Sequence, residues 1–269
     1  MNMCRENSGF RILHICQKDV MEPEERIPEL ENNSIHVWTA CYADPDHFHG
    51  IFPGFLSRAE QEKASMFRKP ADGRRYILRH GMVRFILGNY LLSPPGSVPL
   101  VTGRNGKPGL DLQPKDQPVT FSVSHTGEMM SIGVMKKFNM GIDIVKIDPR
   151  CPIQEIADYL FCPQEIQYLQ GTRPDRKQEI FFALWAMKEA VIKATGEGLR
   201  AMRDTDVISI VQDPRHGRYR VDNTTSLSKD FFIFPFVPAE GYRGAVAVCL
   251  SGEKQDFRQG TGRPAPDEF

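Results

Sequence analysis

Three side chains that could do chemistry are spaced four residues apart in one apolar stretch, residues 179–195. Trp185, Glu189 and Lys193 occupy positions i, i+4 and i+8. At about 100° per residue these positions share one face of a helix, so an indole, a carboxylate and an ammonium project together. An ordinary Glu–Lys pair on a solvated helix face is the simpler alternative. Apolar residues flank these charges on nearly every side, however, so we expect a buried helix whose charges meet a cation and an anion.

A second carboxylate interrupts a run of strand-forming residues at 140–147. Asp143 stands between Ile142 and Ile144. Burying an unpaired carboxylate in a strand lowers the stability of the fold by on the order of several kcal/mol, because the charge loses its hydration. Asp143 is therefore expected at a sheet edge, in an ion pair or on a metal ion. The edge-strand and metal-ligand interpretations both remain open at this point.

Candidate anion-binding residues occur in three other places. Residues 121–127 predict a strand that ends at His125, flanked by the hydroxyls of Ser124 and Thr126. A serine nucleophile paired with His125 is disfavoured because adjacent residues of a strand point to opposite faces, and a structural histidine remains an alternative. Lys107 stands in a glycine-rich turn that is equally typical of a hairpin. Arg75 is one of four arginines on a predicted helix, where a solvated face is the usual interpretation.

These residues depend on a series of strands and helices that occurs twice. A capping box at Ser57 and Glu60 opens the first helix. The predicted strands are 35–42, 121–127, 130–135, 140–147, 206–211, 230–236 and 244–250, and further helices are 72–92, 153–159 and 163–169. The strands 130–135 and 140–147 are expected to pair around the intervening turn. The pattern predicts an α+β fold of two similar α/β halves. The predicted divisions are a polar N-terminal extension (1–34), an N-terminal half (35–140), a C-terminal half (141–251) and a disordered tail (252–269).

Composition excludes several classes of function. Lys plus Arg and Asp plus Glu both number 34, and the pI is near 7.0, which argues against a nucleic-acid binder. The six cysteines contain no C-x-x-C spacing, which argues against a zinc site or a disulfide framework. No apolar run approaches the roughly 18 residues of a membrane span. We therefore expect a soluble cytoplasmic protein.

Four motifs in this order resemble the 4′-phosphopantetheinyl transferases of the surfactin-synthetase-activating type, over about residues 56–250. The motifs are Gly106-Lys107-Pro108, Phe121-Ser-Val-Ser-His-Thr126, Gly141-Ile-Asp-Ile144 and Trp185-Ala-Met-Lys-Glu-Ala-Val-Ile-Lys193. The resemblance implies a pseudo-twofold monomer with coenzyme A as co-substrate and Mg²⁺, or Mn²⁺ as an alternative, between its halves. It also implies transfer of phosphopantetheine to a serine of an acyl carrier protein or peptidyl carrier domain of fatty-acid, polyketide or nonribosomal peptide synthases. Adenosine 3′,5′-bisphosphate would be released.

The same resemblance implies a role for each matching residue. Asp143 and Glu189 would bind the metal, and Lys193 the pyrophosphate. The implied coenzyme contacts are Lys107 and Pro108 to the adenine nucleotide, Ser124, His125 and Thr126 to the phosphates, and Arg75 to the 3′-phosphate. The expected catalytic set is Asp143, Glu189, Lys193 and His125, with Glu189 as the base, directly or through a metal-bound water.

Two departures from the family pattern bear on these roles. Many members carry a third acid where this chain has Val145, and a basic residue near the position of Glu60, for which Lys63 could substitute. Two alternatives to the transferase are a catalytically silent homologue that binds coenzyme A or a carrier and a metal-dependent phosphohydrolase. For the carrier, the segment 151–173 is the expected contact, because it mixes Phe161, Tyr168 and Leu169 with charged residues.

Overall fold

The computed structural model describes residues 2–5, 10–16, 27–42, 52–103, 106–112, 118–196, 206–207, 210–213, 218–221 and 231–250. The strands in this part of the chain are β1 (Asn2–Arg5), β2 (Arg11–Cys16), β3 (Ser34–Cys41), β4 (Leu100–Thr102), β5 (Pro108–Leu110), β6 (Thr120–Thr126), β7 (Met129–Met135), β8 (Asn139–Lys146), β9 (Ile210–Asp213), β10 (Arg218–Val221), β11 (Phe231–Phe236) and β12 (Tyr242–Cys249). The α-helices are α1 (Arg58–Ser65), α2 (Pro70–Leu91), α3 (Ile153–Leu160), α4 (Pro163–Gly171) and α5 (Lys177–Thr195). The predicted α+β class is confirmed. The tail expected at 252–269 lies outside the described residues.

The first sheet has the strand order β1-β2-β3-β7-β6. The sequence predicted a polar lead-in over residues 1–34, and the structure differs there. β2 pairs in parallel with β3, from Arg11 opposite Ser34 to Cys16 opposite Thr39. Ile12 and Ile15 are buried, as expected for β-branched residues that pack on a sheet. The polar residues on either side concealed this short strand in the sequence.

The second sheet has the order β8-β12-β11-β10-β9, with every pairing antiparallel. Within the described residues β8 is its edge strand. The predicted pairing of 130–135 with 140–147 is wrong, because β7 pairs with β3 and β6 whereas β8 pairs with β12. Residues Met135, Met140 and Ile142 instead pack in an apolar cluster between the two sheets, with Ile35 and Val246. Burial between the sheets thus overrides the local turn signal.

α5 packs directly on β8 through a glycine. A Cβ added at Gly141 would lie 2.0 Å from the carbonyl oxygen of Ala190 and 2.6 Å from the backbone nitrogen of Ala194. Strand and helix backbones therefore touch, which only glycine permits here. This contact fixes how far Asp143, two residues along β8, lies from the side chains of α5.

α1 and α2 are joined by buried charges. Ser57 and Glu60 form the predicted capping box. Glu60 also accepts hydrogen bonds from Arg84, at 2.5 Å, and His80, at 3.1 Å. Arg84 is 4% exposed, so the expectation that all four arginines of this helix lie on a solvated face is wrong for Arg84. The carboxylate of Glu60 supplies the partner that a buried guanidinium requires.

Candidate active site between β8 and α5

Asp143 is the centre of the site. It is 6% exposed, and its Oδ1 accepts hydrogen bonds from Ser124 Oγ at 2.7 Å and from Lys193 Nζ at 2.8 Å. Ser124 comes from β6 and Lys193 from the last turn of α5, so three elements meet at this carboxylate. The structure thereby brings together Asp143, Ser124 and Lys193 from three of the sequence motifs.

Glu189 lies half-buried one helical turn before Lys193. Burial and the neighbouring charge of Asp143 together raise the pKa of Glu189 to about 7, although Lys193 opposes both effects. Two carboxylates thus share a small region with one ammonium, whose single charge compensates them only in part. The site therefore has more negative charge on its carboxylate oxygens than the ammonium neutralises. Such a site suits a divalent cation that is bound by one or two carboxylates plus phosphate oxygens. Asp143 and Glu189 therefore fit the metal-binding role that the family resemblance implies for them.

His125, at the end of β6, faces an arginine that sequence reasoning did not select. Arg79 Nη1 lies 2.9 Å from Nε2 and 3.3 Å from Nδ1 of His125. Burial, and to a smaller extent the charges of Arg79, Lys193 and His80, lower the pKa of His125 to about 4. The imidazole is therefore neutral near pH 7. The only signal for Arg79 in the sequence was its spacing one turn after Arg75.

Arg75 and Thr126, two predicted phosphate ligands, lie at the same end of the first sheet. Arg75 is exposed, and its Nη1 donates to Asp72 Oδ1 at 3.3 Å. Thr126 is half-buried at the end of β6, opposite Met129. Tyr42 lies near Arg75 and Arg79, and its hydroxyl donates to the carbonyl of Gly127 at 3.2 Å. Their roles toward a coenzyme stay predictions.

The ammonium group of Lys107 is hydrogen-bonded to backbone carbonyls. Its Nζ donates to the carbonyl oxygen of Lys193 and, at 3.4 Å, to that of Met140. The carbonyl of Lys193 is one of those that the end of α5 leaves without an intrahelical partner. Burial and nearby Lys193 lower the pKa of Lys107 to about 7. Pro108 is buried at the start of β5, opposite Thr102. Lys107 therefore links the loop before β5 to the helix and the strand of the site.

Lys188, beside Glu189 in the sequence, points into the core instead. Lys188 Nζ lies 2.7 Å from Glu165 Oε2, and both side chains are fully buried. Glu165 also accepts the backbone N–H groups of Cys162 and Val207. Among the described residues, Cys162, Glu165 and Asp206 are a group whose ligand atoms lie within 4.8 Å of one another. The ammonium of Lys188 already supplies a cation there, so we interpret this group as structural. Helical spacing separates Lys188 and Glu189 by about 100°, but it does not show which of the two side chains enters the core.

The positions of Val145, Glu60 and Leu169 qualify three expectations. Val145, in the place of a third acid, packs beside the apolar core cluster that includes Phe181 and Leu184. Glu60 serves the buried network with Arg84. Leu169 is 1% exposed and belongs to the core, so its expected part in carrier contact is wrong.

The chain is similar in sequence to several known proteins. Residues 139–247 match the 4′-phosphopantetheinyl transferase superfamily. The chain is 29% identical over 228 residues to the 4′-phosphopantetheinyl transferase HetI of Nostoc sp., covering 85% of this chain and 93% of HetI. It is 30% identical over 200 residues to the 4′-phosphopantetheinyl transferase Sfp of Bacillus subtilis, covering 74% and 84%.

A solved structure, the holo-[acyl-carrier-protein] synthase of Thermotoga maritima, is similar at 18% identity with a TM-score of 0.27, over 42% of this chain and 62% of that one. That likeness is too low to support an argument. Among the helices described here, none combines the length and apolar character needed to cross a membrane. On the identity with Sfp and the share of Sfp that it covers, the chain belongs to the 4′-phosphopantetheinyl transferase superfamily.

Proposed function

We propose that this chain transfers the 4′-phosphopantetheine group of coenzyme A to a serine of a carrier protein and releases adenosine 3′,5′-bisphosphate. The observation that carries the proposal is the convergence of Asp143, Glu189 and Lys193 between β8 and α5. A similarity of 30% to an enzyme named as a 4′-phosphopantetheinyl transferase supports the same reaction.

The site residues divide the chemical work among them. The serine oxygen forms a bond to the phosphorus of phosphopantetheine, and the bond from that phosphorus to the bridging oxygen of the diphosphate breaks. Glu189 accepts the serine proton as the general base of the site. Lys193 neutralises charge on the leaving diphosphate. Ser124 holds Asp143 in place through its 2.7 Å hydrogen bond.

Asp143 and Glu189 would hold Mg²⁺, with Mn²⁺ as an alternative. When bound, the ion supplies positive charge for the diphosphate oxygens. With valine at position 145, these two carboxylates are the metal ligands that β8 and α5 offer, so we propose a site completed by diphosphate and water.

We further propose a monomer in the cytoplasm whose halves, 35–140 and 141–251, are related by a pseudo-twofold axis. The first half supplies three strands of the first sheet, β3, β6 and β7, and the long helix α2; the second half supplies the second sheet and the long helix α5, which supports this arrangement. The proposed partners are acyl or peptidyl carriers of fatty-acid, polyketide or nonribosomal peptide synthases, including those of secondary metabolism. The tyrosines Tyr159 and Tyr168, 75% and 44% exposed on α3 and α4, support carrier contact through segment 151–173.

The test is the intact mass of an apo carrier protein incubated with the chain, coenzyme A and Mg²⁺. We expect the carrier to gain one phosphopantetheine. Glu189→Ala should abolish the gain, whereas Glu62→Ala, at an exposed position on α1, should leave it intact. No gain on several acyl and peptidyl carriers, with coenzyme A still bound, would instead favour a silent homologue.

A further inference from the structure

Arg79 is a half-buried cation on α2. Its guanidinium donates from Nη1 to His125 and from Nε to the carbonyl oxygen of Arg75, at 3.2 Å. Among the ion pairs of the described residues, none includes Arg79. Burial lowers the pKa of Arg79 and the charge of Arg75 lowers it further, whereas Tyr42 and Asp72 oppose this effect. A partly desolvated guanidinium without a counter-ion is unfavourable unless an anion binds to it.

Arg75, one turn earlier on α2, is in the opposite situation. It pairs with Asp72 at 3.3 Å, and both side chains are nearly half exposed. Its charge is thus already compensated and screened by water. Of these two arginines, Arg79 therefore gains more from binding an anion.

His125 occupies the position where that anion would bind. A guanidinium has no acceptor, so in the contact at 2.9 Å the imidazole must accept, which requires its neutral form. A neutral acceptor satisfies a guanidinium less well than an anion does, because charge-assisted hydrogen bonds are roughly twice as strong as neutral ones. A phosphate could replace or join the imidazole at Arg79.

The arrangement favours a phosphate other than the one beside Asp143. Side chains alternate along a strand, so Ser124 and His125 project from opposite faces of β6. Ser124 meets Asp143 on the face toward β8, whereas His125 meets Arg79 on the face that packs on α2. Arg79 and Asp143 therefore lie on opposite sides of β6. Coenzyme A carries a diphosphate and, on its ribose, a separate 3′-phosphate monoester. If the diphosphate meets Lys193, the monoester is the group left for Arg79.

We propose that Arg79 binds the 3′-phosphate of coenzyme A and sets the preference for coenzyme A over 3′-dephospho-coenzyme A, with Arg75 contributing less. This assignment rests on the proposed function. It makes Arg79 a specificity-determining residue of the coenzyme site, in the place where the family resemblance pointed to Arg75.

Calorimetric binding of the two coenzymes to the unaltered chain, Arg79→Gln and Arg75→Gln tests the proposal. Arg79→Gln should weaken coenzyme A binding about 10- to 100-fold, the effect of losing a hydrogen bond to a charged group. Its affinity for 3′-dephospho-coenzyme A should stay within about threefold of that of the unaltered chain. Arg75→Gln should cost coenzyme A binding less than about fivefold, because its charge is screened. Arg79→Lys should restore part of the preference, and circular dichroism checks that each variant is folded.

Three results would overturn the assignment. An equal loss of both coenzymes in Arg79→Gln would place Arg79 on the diphosphate. An unchanged preference in that variant would remove Arg79 from the site, and a larger loss in Arg75→Gln would restore Arg75 as the main ligand. Failure of the proposed function looks different: a chain that binds coenzyme A and prefers it over the dephospho form, but modifies no carrier, would leave the role of Arg79 standing. Binding of neither coenzyme would overturn both.

Discussion

Replacement of Gly141 by alanine should disable the site without touching any of its functional groups. The added Cβ would lie 2.0 Å from the carbonyl oxygen of Ala190, 2.6 Å from the nitrogen of Ala194 and 2.8 Å from Cβ of Lys193. Two of these atoms belong to the α5 backbone, so no side chain can rotate away. Ordinary contact begins at 3.4 Å, which means that helix and strand must separate by about 1 Å or more.

The magnitude follows from that separation. Overpacking a well-packed core costs about 1–3 kcal/mol, and backbone contacts belong at the upper end of this range or beyond it. Moving α5 by about 1 Å also displaces Lys193 from Asp143, which now lie 2.8 Å apart. A misplacement of about 1 Å can reduce a catalysed rate on the order of 100-fold. We therefore expect Gly141→Ala to lose about 3 kcal/mol of unfolding free energy and at least about 100-fold in transfer rate.

Urea denaturation and the carrier mass assay measure these two quantities. Gly54→Ala is the matched control, because a Cβ at Gly54 would meet no atom within 4 Å. It should match the unaltered chain in both assays. If Gly141→Ala kept its stability within about 0.5 kcal/mol and its full transfer rate, the close packing of α5 on β8 would be refuted.

Three further outcomes follow from the charges. Burial alone would raise the pKa of Glu60, but hydrogen bonds from His80, Ser57 and Arg84 outweigh it and lower the pKa from 4.5 to about 2. Stability of about 3 kcal/mol, present above pH 4.5, should therefore be lost as the pH falls to about 2, as followed by acid titration of ellipticity, and Glu60→Gln should remove this dependence. Lys188→Met should cost about 3–5 kcal/mol in urea denaturation by leaving Glu165 buried and uncompensated, and adding Glu165→Gln should recover part of it; further destabilisation would contradict this. Val145→Glu should tighten Mg²⁺ binding in a titration of the transfer rate, whereas the uncharged Val145→Gln should not, and an unchanged midpoint for the Glu variant would count against a two-carboxylate site.

The elements that the sequence predicted well are those specified by nearby residues. The capping box of Ser57 and Glu60 starts α1 as expected, since both groups lie within one turn. α5 ends at Thr195, before Gly196 in the left-handed conformation that favours glycine. Asp143 and Lys193 form an ion pair across 50 residues of sequence, and here the family resemblance, rather than a local pattern, predicted that they share one site.

The remaining features depend on contacts that no local pattern encodes. Arg79 meets His125 across 46 residues, and Lys107 reaches the carbonyl of Lys193 across 86. Each requires knowledge of how β6, α2 and α5 are placed in space. The periodicity of residues 179–195 likewise does not show that Lys188 meets Glu165, because that contact depends on where α4 packs against α5.

The sequence left two interpretations of Asp143 open, an edge-strand position and a metal-ligand role. The edge position explains how the carboxylate is oriented. β8 is the edge of the second sheet as described, and an edge strand presents unpaired N–H groups. The hydroxyls of Ser122 and Ser124 on β6 accept the N–H groups of Ile142, at 3.1 Å, and Ile144, at 3.2 Å, so side chains of the first sheet take the place of a further strand. While accepting from Ile144, Ser124 also donates to Asp143, and the bond that closes the edge therefore orients the carboxylate. A central strand would have needed another strand as its hydrogen-bonding partner on this side, so the edge position of β8 leaves room for β6 to bring Ser124 to the carboxylate of Asp143.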